Sequence, residues 1–401
     1  MSFRGTPGLL KRFTSQPKVP SLNSAMNQES CKMRTSSHKY SHLHHERLKW
    51  STRKNSYSQS FKIKLLSFNL LAPVYKRLPS IDPATGFHKR EANHPEMWQD
   101  RAHRAMEFFR REVINKTDII GFQEFWLEQN YIKIFEKEFE SHGYNWYLLQ
   151  RPGRKTDAVA IIIKSSVFDT LGVEKVYLHT MGDRVALLLW LRHRESQTDF
   201  LVANTHLSFP HNSMDRLNQM QQMKNLTTVI EMYAFRHNIS LQATRIVMGD
   251  FNVESQSPVC DHLRNVGYVS CFEVSPPINA AMGLVDSLSG FVSHRNHNKE
   301  DVGVDHIFIK QSNHTSLSTP TAPLLPPHGL EENITTSSEE ELLGRSGSKH
   351  DHVFIESCVV LPRDVGCREW IDNFNISDHR PVMASIIYGR PVSSITNGVE
   401  S

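Results

Sequence analysis

Between residues 61 and 390, short apolar runs alternate with longer amphipathic ones. Residues 61–69 alternate charged and apolar positions and then turn apolar, as a strand entering a core does. Residues 98–115 place Ala102, Ala105, Met106, Phe109, Val113 and Ile114 at helical spacing. Residues 128–142 form a second amphipathic stretch that stops near Gly143, a residue suited to a helix end. Residues 213–235 repeat Leu217, Met220, Leu226, Ile230 and Tyr233 along one helical face, and 259–266 read as a short helix. Strands are predicted over 118–123, 158–163, 185–191, 200–205, 244–248, 304–309 and 381–387. Strands interleaved with helices indicate a layered α/β fold. Period alone leaves parallel and antiparallel pairing open.

Two stretches interrupt the pattern. Residues 1–60 are rich in Ser, lack apolar periodicity and are expected to be a disordered basic tail. They hold eleven Lys and Arg against Glu29 and Glu46, a net +9 in a chain of net +4, which leaves residues 61–401 at −5. A mildly acidic body is unlike a protein that coats nucleic acid. Residues 1–16 carry Arg4, Lys11 and Arg12 among Leu9, Leu10 and Phe13 with no acid, which is also the composition of a transit peptide. The expected location is cytoplasmic, with mitochondrion or plastid as the alternative. Residues 311–350 are rich in Ser, Thr, Pro and Gly and are read as an insertion between two late strands, since too little apolar sequence follows for a second core. Residues 391–401 are a second expected tail, so a single catalytic domain covers 61–390. No run approaches the ~18 apolar residues of a membrane span. Five cysteines without C-x-x-C spacing read as reduced thiols.

The candidate chemistry lies at the ends of the apolar runs. Asn69 follows Leu65-Leu66-Ser67-Phe68, and Glu124 follows Ile119-Ile120-Gly121-Phe122-Gln123. Gly249-Asp250-Phe251-Asn252 closes Ile246-Val247-Met248, and Asp378-His379 precedes Arg380-Pro381. If the runs are neighbouring strands, these groups meet at one end of a sheet. Oxygen ligands gathered there bind a hard cation such as Mg²⁺, and a histidine beside them can act on a phosphate ester. Glu124 is the best single ligand. Asp250 and Asn252, two apart, share one face if the strand continues through both.

The ordered set Asn69, Glu124, Asn204-Thr205-His206, Asp250 with Asn252, Asp305-His306 and Asp378-His379 resembles the endonuclease/exonuclease/phosphatase superfamily, which includes deoxyribonuclease I, sphingomyelinases, inositol polyphosphate phosphatases, nocturnin and the carbon-catabolite-repression deadenylases. The resemblance spans residues 61–390 and implies a four-layer α-β-β-α sandwich of the deoxyribonuclease I-like type. It also implies Mg²⁺, with Mn²⁺ able to substitute, held by Glu124, Asn69 and Asp378. Asp250 would activate the attacking water, Asn252 would hold that water or a phosphate oxygen, and Asp305 would orient His379 against the phosphate. His206 resembles a second phosphate-binding histidine. Asn204, Arg184, His294 and Arg295 are weaker substrate-binding candidates. The reaction implied is in-line attack by water on a phosphodiester or phosphomonoester.

Gly182-Asp183-Arg184-Val185-Ala186 and Val292-Ser293-His294-Arg295-Asn296-His297 resemble a plant and algal branch labelled calcium-binding. The D-x-[DN]-x-[DN]-G loop of an EF-hand is absent from this sequence, so calcium binding is not carried over. Arg154-Lys155-Thr156-Asp157-Ala158-Val159-Ala160 resembles a deadenylase stretch, with Ala158 where glycine is usual. The expected substrate is therefore RNA, attacked as a 3′-5′ exonuclease would attack it. A small-molecule or lipid phosphoester is the alternative.

Overall fold

The computed structural model describes residues 57–178, 183–274, 285–286, 290–296, 298–310, 352–363 and 374–391, all within the compact unit Lys54–Ser401. Most of the expected basic tail, the 311–350 insertion and the C-terminal tail lie outside these residues, as does His297.

Strand β1 (Tyr57–Asn69) leads to a hairpin, β2 (Arg77–Ile81) and β3 (His88–Arg90), and then to helix α1 (Pro95–Glu112). β4 (Ile119–Trp126), α2 (Gln129–Ser141), β5 (Tyr144–Gln150) and β6 (Asp157–Lys164) follow. The Glu128 side chain caps α2 by accepting from the Asn130 and Tyr131 N–H groups. β7 (Phe168–Tyr177), β8 (Val185–His193) and β9 (Asp199–His206) precede the long helix α3 (Ser213–Arg236). The chain continues through β10 (Thr244–Asp250), α4 (Pro258–Asn265), β11 (Val269–Ser270) and the single turn α5 (Cys271–Val274). Two small hairpins come next, β12 (Val285–Asp286) with β13 (Gly290–Phe291), and β14 (His294–Arg295) with β15 (Asp301–Val302). β16 (Asp305–Lys310), β17 (His352–Val360) and β18 (Val382–Pro391) complete the described elements.

The long strands form two six-stranded sheets, ordered β17-β18-β1-β4-β6-β5 and β11-β16-β10-β9-β8-β7. Their facing sides make one apolar slab of Ile63, Leu65, Ile161, Leu189, Val202, Ile246 and Met248, among others. The outer side of the first sheet, with Leu66, Phe68 and Phe122, packs under α1 and α2. The outer side of the second, with Leu188, Ala203 and Val247, packs under α3 and α4. Successive residues of β1 and β10 thus face different cores, which is why both read as nearly continuous apolar runs. The layers are helix, sheet, sheet, helix.

Strand direction explains why the polar ends converge. β1 and β4 are parallel, as are β9 and β10, so Asn69, Glu124, His206 and Asp250 stand near the same kind of end. β16 and β18 run antiparallel to β10 and β1, so each begins where its neighbour finishes. That brings Asp305 opposite Asp250 and places Asp378 and His379, just before β18, at the end of β1.

Candidate active site

Asp250 is 1% exposed at the centre of the convergence. Its Oδ2 accepts from Asn69 Nδ2 at 2.9 Å, and its Oδ1 accepts from the Asn252 backbone N–H at 2.9 Å. The same Oδ2 lies 3.5 Å from His206 Nε2 and 3.6 Å from His379 Nε2. Burial pushes the Asp250 carboxyl up to about 6, with His379 opposing and Asp305 adding to the rise. Asn69, expected beside Glu124, instead orients Asp250. Its own Oδ1 accepts the Leu71 N–H.

Asn252 corrects one expectation. β10 ends at Asp250, and Asn252 sits beyond it with φ of +54°. The two side chains therefore do not share a strand face. The Asn252 backbone serves Asp250 while its Nδ2 donates to the Leu207 carbonyl at 3.0 Å.

His379 Nδ1 lies 2.8 Å from Asp305 Oδ2, which also accepts from Ser293 Oγ at 2.7 Å. Burial works against a charged ring here, but the Asp305 and Asp250 carboxylates outweigh it and hold His379 up at about 10. The imidazolium is fixed from behind as well: Ser377 Oγ donates to the Asn69 carbonyl and accepts the His379 N–H. His294 stacks on His379 with ring centroids 4.0 Å apart, and its Nδ1 is 3.0 Å from the Asp378 carbonyl. Burial, then the charge on His379, push His294 down to about 4, so a neutral ring backs a charged one.

Glu124 occupies a bulge in β4 with φ of +52°, an uncommon conformation for a residue with a Cβ. Its Oε2 accepts from the Ala72 N–H at 3.1 Å, and it has no ion pair among the described residues. Withdrawal from water, then Asp378 and Asp157, push its carboxyl up to about 7, with His379 opposing. Ligand atoms of Asp378, His294 and His379 lie within 4.8 Å of one another, as do those of Asp250, Asp305 and His379, and Glu124 feels the Asp378 charge from beside them; carboxylate oxygens so gathered suit a hard divalent cation.

His206 is buried, and burial followed by Arg184 and Arg151 pushes it well down. Its Nδ1 has no hydrogen-bond partner among the described residues. Arg184 also faces the site. Burial, then Arg151, lower its guanidinium to about 10, while Glu124 and Asp250 oppose the shift, and its Nη1 is buried without a hydrogen-bond partner. Two weaker candidates are committed elsewhere. Asn204 is fully buried between the sheets, accepting from Gln123 Nε2 and donating to the Phe122 and Ala160 carbonyls. Arg295 forms a two-pronged pair with Asp301 across its own hairpin, at 2.6 and 2.9 Å.

Sequence reasoning missed a neighbouring wall. Asp157 Oδ1 accepts from the Tyr75 hydroxyl at 2.5 Å, and its Oδ2 pairs with Arg151 Nη1 at 3.3 Å. Asp157 lies inside the stretch that resembles the deadenylases, which was the available signal. Asn252 and His294 also open onto a cavity of about 620 Å³, with Phe209, Pro210, Arg216 and Met220 among its walls.

Phosphoesterases are the class in which a fold and a cluster of this kind occur. The family model described as "Endonuclease/Exonuclease/phosphatase family" matches residues 98–379, and the chain belongs to that family, whose enzymes are generally dependent on divalent metals. Among its relatives, an uncharacterized calcium-binding protein of Arabidopsis thaliana is 26% identical over 257 residues, covering 62% of this chain and 50% of that protein. Protein angel homolog 2 of Bos taurus is 30% identical over 159 residues, covering 37% of this chain and 28% of that protein. The chain thus spans half or less of the length of these relatives. Among solved structures, ANGEL2, described as a 2′,3′-cyclic phosphatase in complex with adenosine-2′,3′-vanadate, aligns with a TM-score of 0.57 at 17% identity, covering 83% of this chain and 97% of that one. The human Nocturnin catalytic domain aligns with a TM-score of 0.51 at 16% identity, covering 82% and 94%. These likenesses establish the deoxyribonuclease I-like fold.

Proposed function

We propose that this protein is a Mg²⁺-dependent 3′-5′ exonuclease that hydrolyses RNA phosphodiesters, with Mn²⁺ able to replace Mg²⁺. The observation that carries the chemistry is the pair of acid–base groups set apart by their surroundings: a charged His379 clamped by Asp305, and Asp250 tuned towards neutrality. Asp250, oriented by Asn69 and the Asn252 N–H, takes the proton of the attacking water. A carboxylate raised to about 6 is a stronger base than an ordinary one. His379 donates a hydrogen bond to the negative charge that develops on the phosphoryl group. Arg184 and His206 flank the same space and supply further phosphate contacts. Glu124 and Asp378 would hold the metal, which supplies charge neutralisation at the phosphoryl and leaving oxygens when bound.

The choice of a nucleotide substrate is supported by the cavity. Its volume of about 620 Å³ and its apolar wall of Phe209, Pro210 and Met220 suit a nucleobase next to a phosphate centre. The adenosine ligand of the ANGEL2 structure and the match to angel homolog 2 point the same way. A small-molecule or lipid phosphoester is the second reading, favoured by the net −5 of residues 61–401.

The test is a panel of poly(A) RNA, mixed RNA, single-stranded DNA, NADP⁺ and sphingomyelin, assayed with the full chain and Mg²⁺. Progressive shortening of RNA from the 3′ end is expected. Chelation should abolish it, and Glu124→Ala should reduce it by at least about 10²-fold. Turnover of NADP⁺ or sphingomyelin with RNA left intact would reject the RNA reading, and full activity in E124A would reject the metal assignment.

A further inference from the structure

The hairpin of β2 and β3 is not used by the chemistry above. Lys76, Arg77, Lys89 and Arg90 lie on or beside it, in a body that is acidic overall. The acid of its turn, Asp82, accepts from the Ala84 N–H and the Thr85 hydroxyl and sets one negative charge in the cavity lining against Arg77, Lys89 and Arg90. Arg77 stands directly opposite Arg90 in the antiparallel register. Like charges so placed destabilise a strand pair. Glu91 takes up Lys76 at 3.2 Å, but neither Arg77 nor Lys89 has an ion pair among the described residues. At the far end Phe87 is 76% exposed and Ile81 49% exposed. Arg77, Phe87, His88, Lys89 and Arg90 contribute to the lining of a cavity of about 470 Å³.

The root of the hairpin is tied to the wall of the catalytic site. The Ala72 N–H donates to Glu124, the Tyr75 hydroxyl donates to Asp157, and Arg90 Nη1 donates to the Tyr75 carbonyl at 2.6 Å. The hairpin held in this way carries Arg77 and Lys89 without ion pairs among the described residues, and one exposed aromatic ring, Phe87.

We propose that this hairpin is a contact for single-stranded polynucleotide, in which Phe87 stacks on a base outside the catalytic pocket and Arg77, Lys89 and Arg90 meet backbone phosphates. The proposal rests on the phosphodiesterase reading and narrows its substrate to a polymer. Charge complementarity selects the occupant. A phosphate chain relieves the Arg77–Arg90 repulsion, and a base has a face for Phe87. A bilayer is the less suitable partner, because two apolar side chains are a small face to insert.

Two measurements test it on the full chain. The first is binding of a labelled oligo(A) RNA in EDTA, where nothing is cleaved. The second is turnover of that oligomer and of the dinucleotide ApA in Mg²⁺. Phe87→Ala and the pair Arg77→Glu with Lys89→Glu should each weaken oligomer binding and raise its KM about tenfold, leaving kcat on ApA within about twofold. The charge pair should also flatten the salt dependence of binding. Unchanged melting temperatures exclude unfolding as the cause. Oligomer binding equal to wild type in both variants would overturn the proposal. So would equal losses on ApA and oligomer, or binding of phosphatidylserine vesicles, but not RNA, that depends on Phe87. If wild type cleaves neither RNA, the phosphodiesterase reading fails, while the EDTA comparison still decides the hairpin.

Discussion

Asp305 shows how one buried atom can set the state of another residue. Its Oδ2 serves both His379 and Ser293, while its Oδ1 has no partner among the described residues. Asp305→Asn keeps the volume but removes the charge that holds the imidazolium. The expected result is a kcat loss of about 10²–10⁴-fold with a near-native circular dichroism spectrum, measured by steady-state kinetics on the substrate found in the panel. At this scale the sequence was most legible where residue type and strand end coincide, as at Asp250, Glu124 and His379. It was least legible where a side chain is used by another element. Asn204 reads as a weak substrate-binding candidate until the first sheet supplies Gln123 and two carbonyls to occupy it. Arg151 and Asp157, six apart in sequence, acquire meaning only when Tyr75 arrives from before α1.

Among the elements, apolar periodicity located the central strands and the four longer helices, because each buries a regular stripe. It failed at the edges. β5 and β7 border the sheets, and their half-buried residues dilute the alternation that marks a strand. The predicted face of α3 was also partly wrong. Leu217 is 63% exposed, while Gln219 and Gln222 are buried because they hold the loop after β9: Gln219 Nε2 donates to the Ser208 carbonyl, and Gln222 Oε1 accepts the Ser208 N–H. β10 depends on a single glycine. Gly249 has φ of +146°, and a Cβ there would lie 1.9 Å from the Thr205 carbonyl oxygen of β9. Gly249→Ala should cost at least about 3 kcal/mol, from backbone strain and overpacking together. Gly86, at φ of +70° with nothing within 4 Å of where a Cβ would stand, is the control. Gly86→Ala should cost only about 1–2 kcal/mol. Urea titrations of the two variants give the comparison.

For the molecule as a whole, acid sensitivity has an identifiable source in the residue that follows Asp305. His306 is fully buried, its Nε2 is 2.8 Å from the Val253 carbonyl, and its ring lies against Phe251. Burial pushes it down to about 4. The unfolded chain takes up a proton near pH 6.5, whereas the native ring resists it. Its contribution to stability is therefore complete above pH 6.5 and is lost as the pH falls towards 4. Wild type should lose stability across that window, and His306→Gln should show a flatter profile in denaturant titrations at pH 5 and pH 7.5. The architecture has one more consequence. The slab between the sheets is held by contacts that have no direction, so aliphatic side chains alone would tolerate a lateral slide of one sheet over the other. Asn204 with Gln123, Asn69 with Asp250, and His379 with Asp305 all cross that slab, and each is directional. They act as alignment pins between two plates, and two of the three are themselves parts of the proposed catalytic centre. Loosening them would leave the plates joined while the halves of the centre drift out of alignment, so turnover should fade in this molecule well before the chain unfolds.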